Sequence, residues 1–116
     1  MKILIILNEP PYGNERSYNG LRLAGSLARQ NDTQLKVFLI GDAVSCAKAG
    51  QNVPQGFYNV QLMLAAVLRY AGSIGACGSC LEARGIRDQE LIEGIRRSSM
   101  EELTAWTLEA DKVISF

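Results

Sequence analysis

Two cysteines three residues apart, in Cys77-Gly78-Ser79-Cys80, are the side chains of this sequence best suited to covalent chemistry. A short run, Ser73-Ile74-Gly75-Ala76, leads straight into the first of them and reads as a strand, while Leu81 to Arg84 reads as the first turn of a helix halted at Gly85. The spacing therefore predicts a thiol at a strand-to-helix junction. There it faces unpaired backbone N–H groups and the positive end of the helix dipole, both of which favour thiolate over thiol. Thiolate is the form that attacks the sulfur of a disulfide or a persulfide. Gly78 lets a second backbone or a substrate come close, and Arg84 is expected to add positive charge to the same pocket.

The same cysteines admit other uses. The sequence holds three cysteines and no histidine. A zinc site needs about four ligands, so no metal is expected. Cys46 lies on a stretch expected to be a short helix and reads as a small buried hydrophobe. A thioredoxin-like dithiol shares the C-x-x-C spacing, yet here the pair follows the third strand and lacks the neighbouring Trp and Pro usual in thioredoxins. Tyr12, in Pro10-Pro11-Tyr12-Gly13, belongs either to a binding loop or simply to a rigid turn. Glu9, Glu15 and Asp42 read as solvent-facing or capping groups, and Trp106 as core.

The elements that must position the thiols follow from hydrophobic pattern. Lys2 to Leu7 is an unbroken aliphatic run, as a strand covered on both faces should be. A helix from about Glu15 carries Tyr18, Leu21, Leu23, Ala24, Leu27 and Ala28 as one stripe, ending at Asn31-Asp32. Gln34 to Ile40 is a second strand, Ala43 to Ala49 a short helix, and Gly50 to Phe57 a loop. Asn59 caps a helix to Tyr70 that is apolar nearly all round, which implies cover by a second subunit or a central place in the monomer. Asp88 to Glu93 is a short helical piece, Gly94 to Ser99 a weak fourth strand, Met100 to Ala110 a helix capped by Ser99, and Lys112 to Phe116 a last strand. Alternating strands and helices predict an α/β fold with a parallel sheet. In such sheets the crevice lies beyond the carboxyl ends of the strands, where the Tyr12 loop, the Gly41-Asp42 turn and Cys77 all fall.

Composition bounds the function classes. The chain has 116 residues, 47% apolar and 21% charged, which suits one ordinary domain. Twelve basic and twelve acidic residues cancel, so neither nucleic acid nor an anionic membrane is an expected partner. The N-terminal apolar run stops at Asn8, too short for a bilayer span and unlike a secretory leader. The expectation is a soluble, cytoplasmic protein with reduced thiols. No glycine-rich phosphate motif follows a strand, so no nucleotide cofactor is expected.

On these residues the sequence resembles the DsrE/DsrF-like family, and most closely its small YchN-type members. The resemblance rests on Pro10-Pro11-Tyr12-Gly13 with Glu15-Arg16, on Asn19-Gly20-Leu21-Arg22-Leu23-Ala24, and on Lys48-Ala49-Gly50-Gln51 with Pro54 and Tyr58-Asn59. It is densest over Ala76-Cys77-Gly78-Ser79-Cys80-Leu81-Glu82-Ala83-Arg84-Gly85-Ile86. It implies a three-layer α/β/α fold around a mainly parallel five-stranded sheet, and assembly into homotrimers or homohexamers. It also implies sulfur relay, with sulfane sulfur carried as a persulfide between donor and acceptor proteins. The carrier cysteine of relay members stands eight residues before the Gly of an Arg-Gly pair, which here is Cys77. Three functions follow as expectations: a persulfide carrier on Cys77, a dithiol redox protein using Cys77 and Cys80, or an oligomeric ligand-binding protein. Cys77 and Cys80 are the expected reactive residues, and Tyr12, Gly78 and Arg84 the expected substrate contacts.

Overall fold

The computed structural model describes residues 1–70 and 72–116. Strand β1 (Lys2–Leu7) forms where the aliphatic run lies, and its inner residues are covered on both faces, with only the tip exposed. It pairs in parallel with β2 (Gln34–Leu39), Lys2 opposite Gln34 through Leu7 opposite Leu39. β3 (Ser73–Cys77) lies beside β2, β4 (Arg96–Ser98) beside β3, and β5 (Lys112–Ser115) on the other side of β1. Within this sheet the described strand pairings are all parallel, in the order β4-β3-β2-β1-β5.

The helices that cross between these strands make the outer layers. Helices α1 (Arg16–Ala28), α2 (Val60–Arg69) and α3 (Gly78–Ala83) connect strands advancing in one direction, whereas α4 (Met100–Glu109) carries the chain back across to β5. Right-handed crossovers therefore put the first three on one face and α4 on the other. Trp106 of α4 seals its face, meeting the Phe38 ring edge-on at 6.0 Å. The core between the layers holds Leu4, Ile5, Leu7, Val37, Phe38, Leu39, Leu64 and Ile74, all fully buried.

The structure departs from the sequence reading in five places. α3 begins at Gly78, not Leu81, so Cys80 lies inside the helix. The helix expected over 43–49 is a 3₁₀ segment, Gly41–Ala47, and the piece expected over 88–93 shrinks to one 3₁₀ turn, Asp88–Glu90. The first is held by burial of Ala43, Val44, Cys46 and Ala47, and the second by Glu90 accepting from the Arg87 backbone N–H at 3.0 Å. α1 ends at Ala28, before Asn31-Asp32. α2 is not central in the monomer: it buries Val60, Leu64 and Val67 while Leu62 is 68% exposed. Its N-cap is the expected one, the Asn59 side chain accepting from the Leu62 N–H at 3.2 Å. Among the described residues, no helix is long and apolar enough to cross a membrane.

Candidate thiol site

β3 ends on Cys77, opposite Ser98 of β4, and the backbone turns directly into α3 at Gly78. A Cβ at Gly78 would stand 2.9 Å from the Ser98 carbonyl oxygen and 3.1 Å from Arg97 Cγ, closer than such atoms pack. The absent side chain is what lets β4 lie against the start of the helix. Arg97 completes the contact, donating from Nη1 to the Gly78 carbonyl at 2.9 Å and from Nε to Asp88 at 2.7 Å. The close neighbour at Gly78 is thus a second backbone with an arginine stem.

The two thiols are free and oppositely tuned. Burial pushes the Cys77 thiol up, but the polar groups of the helix start outweigh it: the Cys80 thiol, the Ser79 hydroxyl and the backbone N–H groups of Cys80 and Ser79 all favour its thiolate. They hold it below the ordinary thiol value. The Ser79 oxygen lies 3.3 Å from that sulfur. Cys80 is raised, first by burial, then by donating to Cys77 and by the negative charge Cys77 carries. The Gly41 N–H and the Arg84 charge oppose that rise without cancelling it.

Gly41 and Asp42, which follow β2, supply the other wall. Gly41 has φ +59°, a conformation L side chains rarely adopt, and its N–H donates to the Cys80 sulfur at 3.2 Å. Asp42 accepts from Arg84 Nη2 at 2.7 Å, while Arg84 Nη1 donates to the Cys80 carbonyl at 3.0 Å. The β2 loop and α3 are fastened together across Cys80. Asp42 is therefore an ion-pair partner, not simply the solvent-facing or capping group expected of it.

The structure brings Cys77, Gly78, Cys80 and Arg84 into one place and sets Tyr12 apart from them. The Tyr12 hydroxyl donates to Gln51 Oε1 at 2.7 Å and accepts from the Val60 N–H at 3.2 Å. Its ring stacks on Tyr58 at 5.8 Å, and Tyr58 on Tyr18 at 4.2 Å. Tyr12, Val53, Pro54, Phe57 and Tyr58 line an apolar recess of about 280 Å³ in which neither cysteine takes part. Cys46 is fully buried, its sulfur 3.7 Å from the Glu9 carbonyl oxygen. Burial, against a hydrogen bond with Ser17, pushes its pKa up to about 12. Sequence reasoning missed Ser79, Arg97 and the pairing of Asp42. A hydroxyl two residues after a thiol was a readable signal; nothing local marked Arg97, which reaches the site from β4.

A model of the DsrE/DsrF-like family matches residues 1–116. Protein YchN of Escherichia coli K12 is 40% identical over 99% of this chain and 98% of its own. The crystal structure of the E. coli protein superposes with a TM-score of 0.93, covering 99% of this chain and 98% of its own. An uncharacterized protein of Methanocaldococcus jannaschii is 35% identical over the full length of both chains. A protein of unknown function from Methanobacterium thermoautotrophicum, 14% identical, shares the fold with a TM-score of 0.79, covering 99% of this chain and 98% of its own.

Proposed function

The chain belongs to the DsrE/DsrF-like family, and on that premise we propose that it carries sulfane sulfur as a persulfide on Cys77. The observation that supports this most is the set of donors around the Cys77 sulfur, which overcome the effect of burial and favour its thiolate. That thiolate attacks the outer sulfur of a donor persulfide. The new S–S bond forms as the donor's breaks, and the electron pair leaves on the donor thiolate. An acceptor thiolate then takes the outer sulfur from Cys77 by the same exchange, with no net oxidation. Arg84, held by Asp42 and by the Cys80 carbonyl, keeps a positive charge near both sulfurs. The exposed Leu62 on α2 fits self-association as a homotrimer or homohexamer, which the mass of the assembly in solution tests.

A second reading, dithiol redox exchange, is favoured by the place of Cys80 in the first turn after Cys77, its sulfur held by the Gly41 N–H at 3.2 Å. Intact mass after exposure to glutathione persulfide separates the two. A carrier gains ~32 Da per sulfur in Cys80→Ser and nothing in Cys77→Ser. If Cys80→Ser gains nothing while wild type forms a disulfide with protein disulfide substrates, the redox reading replaces the carrier. If neither occurs, the apolar recess at Tyr12 and a ligand-binding role are what is left.

A further inference from the structure

Two contacts in this site fall on Cys80 and a third braces them, although holding a sulfur on Cys77 does not require the Cys80 sulfur to be fixed. The Gly41 N–H donates to its sulfur at 3.2 Å, Arg84 Nη1 donates to its carbonyl at 3.0 Å, and the Arg84–Asp42 pair at 2.7 Å pins the Gly41 loop in place. The result is a second sulfur held in the first turn of the helix that starts from Cys77, three residues on and so on the same side of that turn. Residues three apart across the start of a helix also suit the Cα separation that a disulfide spans, about 4.4–6.8 Å. Cys77 itself is only 7% exposed, whereas Cys80 is half-buried beside it. A nucleophile held there lies within one helical turn of the Cys77 side chain, where a persulfide would be carried.

We propose that Cys80 converts the Cys77 persulfide into hydrogen sulfide when no acceptor thiol removes the outer sulfur, an activity that rests on the carrier reading. The Cys80 sulfur bonds to the Cys77 sulfur, and the bond between Cys77 and the outer sulfur breaks. The electron pair goes to the outer sulfur, which takes up the Cys80 proton and leaves as hydrosulfide. The sulfane sulfur is reduced, and the two cysteine sulfurs are oxidised to the Cys77–Cys80 disulfide. A dithiol reductant restores both thiols and becomes a disulfide itself. The overall reaction is dithiol-dependent reduction of persulfides, with sulfide as product.

The test is a single turnover with stoichiometric glutathione persulfide, in the absence of oxygen and added reductant. Sulfide is trapped with monobromobimane, and the protein is read by intact mass after alkylation. Wild type is expected to release about one sulfide per chain above the Cys77→Ser blank and to lose ~2 Da. Cys80→Ser and Cys80→Ala are expected to hold the ~32 Da gain about tenfold longer or more, with sulfide at the blank level. Wild type holding its added sulfur as long as the two variants, without sulfide, overturns the inference and leaves the carrier standing. Failure of both variants to load removes the carrier reading and this one with it.

Discussion

Alanine at Gly78 and alanine at Gly25 are the same substitution in two helices, and the structure assigns them opposite signs. At Gly78 the new Cβ would lie 2.9 Å from the Ser98 carbonyl oxygen, 3.1 Å from Arg97 Cγ and 3.4 Å from Arg97 Nη1. The nearest of these atoms is backbone of a paired strand, so it cannot rotate away. Relief requires β4 and the start of α3 to separate by several tenths of an ångström, in a region where overpacking costs about 1–3 kcal/mol. A backbone contact this short belongs in the upper half of that range, and the better helix propensity of alanine offsets at most about 1 kcal/mol, which leaves a loss of about 1–2 kcal/mol. At Gly25, inside α1, the Cβ meets nothing within 4 Å. Only the backbone-entropy gain of about 0.5–1 kcal/mol remains there. For a chain of this size 1 kcal/mol moves Tm by about 4 °C. Thermal melts by circular dichroism should therefore place Gly78→Ala about 4–8 °C below wild type and Gly25→Ala about 2–4 °C above it. Because Gly78 follows Cys77, the first variant should also alter the alkylation rate of Cys77, which the second should leave alone. A Gly78→Ala protein as stable as wild type would refute the claim that the helix start is closed by β4.

Three further outcomes follow from the same geometry. Only thiolate alkylates, so with Cys77 held below and Cys80 above the ordinary thiol value, a pH series with iodoacetamide should label Cys77 first as pH rises; simultaneous labelling would contradict the network around Ser79. Cys46, fully buried and pushed up to about 12, should stay unlabelled at pH 8 in the native protein and react only in urea; labelling alongside Cys77 would show its cover to be loose. Trp106→Ala removes the ring that meets Phe38 and sits under the Lys36 ammonium at 5.1 Å. It should lower the unfolding free energy by about 3–5 kcal/mol in a urea titration, and a loss under about 1 kcal/mol would mean that α4 does not seal the sheet.

The fold was legible because its signals are local. Lys2–Leu7 and Gln34–Leu39 are aliphatic enough to specify buried strands by themselves, and Asn59 and Ser99 cap α2 and α4 with their own side chains. The start of α3 differs from the sequence reading because Cys77, its N-cap, is not one of the Ser, Thr, Asp or Asn residues that mark a helix start, and the chain passes from it into the helix with φ −55° and ψ 118°. At the site, spacing alone brought out Cys77, Cys80, Gly78 and Arg84. The hold of Gly41 on Cys80 depends on which strand lies beside β3, and the reach of Arg97 depends on β4, so both are products of topology. Tyr12 shares the carboxyl edge with the cysteines in the chain's layout, but its ring is drawn to Tyr58 and its hydroxyl to Gln51.

The central claim is that sulfane sulfur resides on Cys77, and peptide mapping of the loaded protein tests it most directly. Trypsin cuts after Lys36, Lys48, Arg69 and Arg84, which places Cys46 on residues 37–48 and the thiol pair on residues 70–84. In Cys80→Ser the second peptide carries Cys77 alone. After exposure to glutathione persulfide and alkylation, the account predicts an added ~32 Da on peptide 70–84 and none on 37–48. Added sulfur on the Cys46 peptide, or on neither, would contradict it.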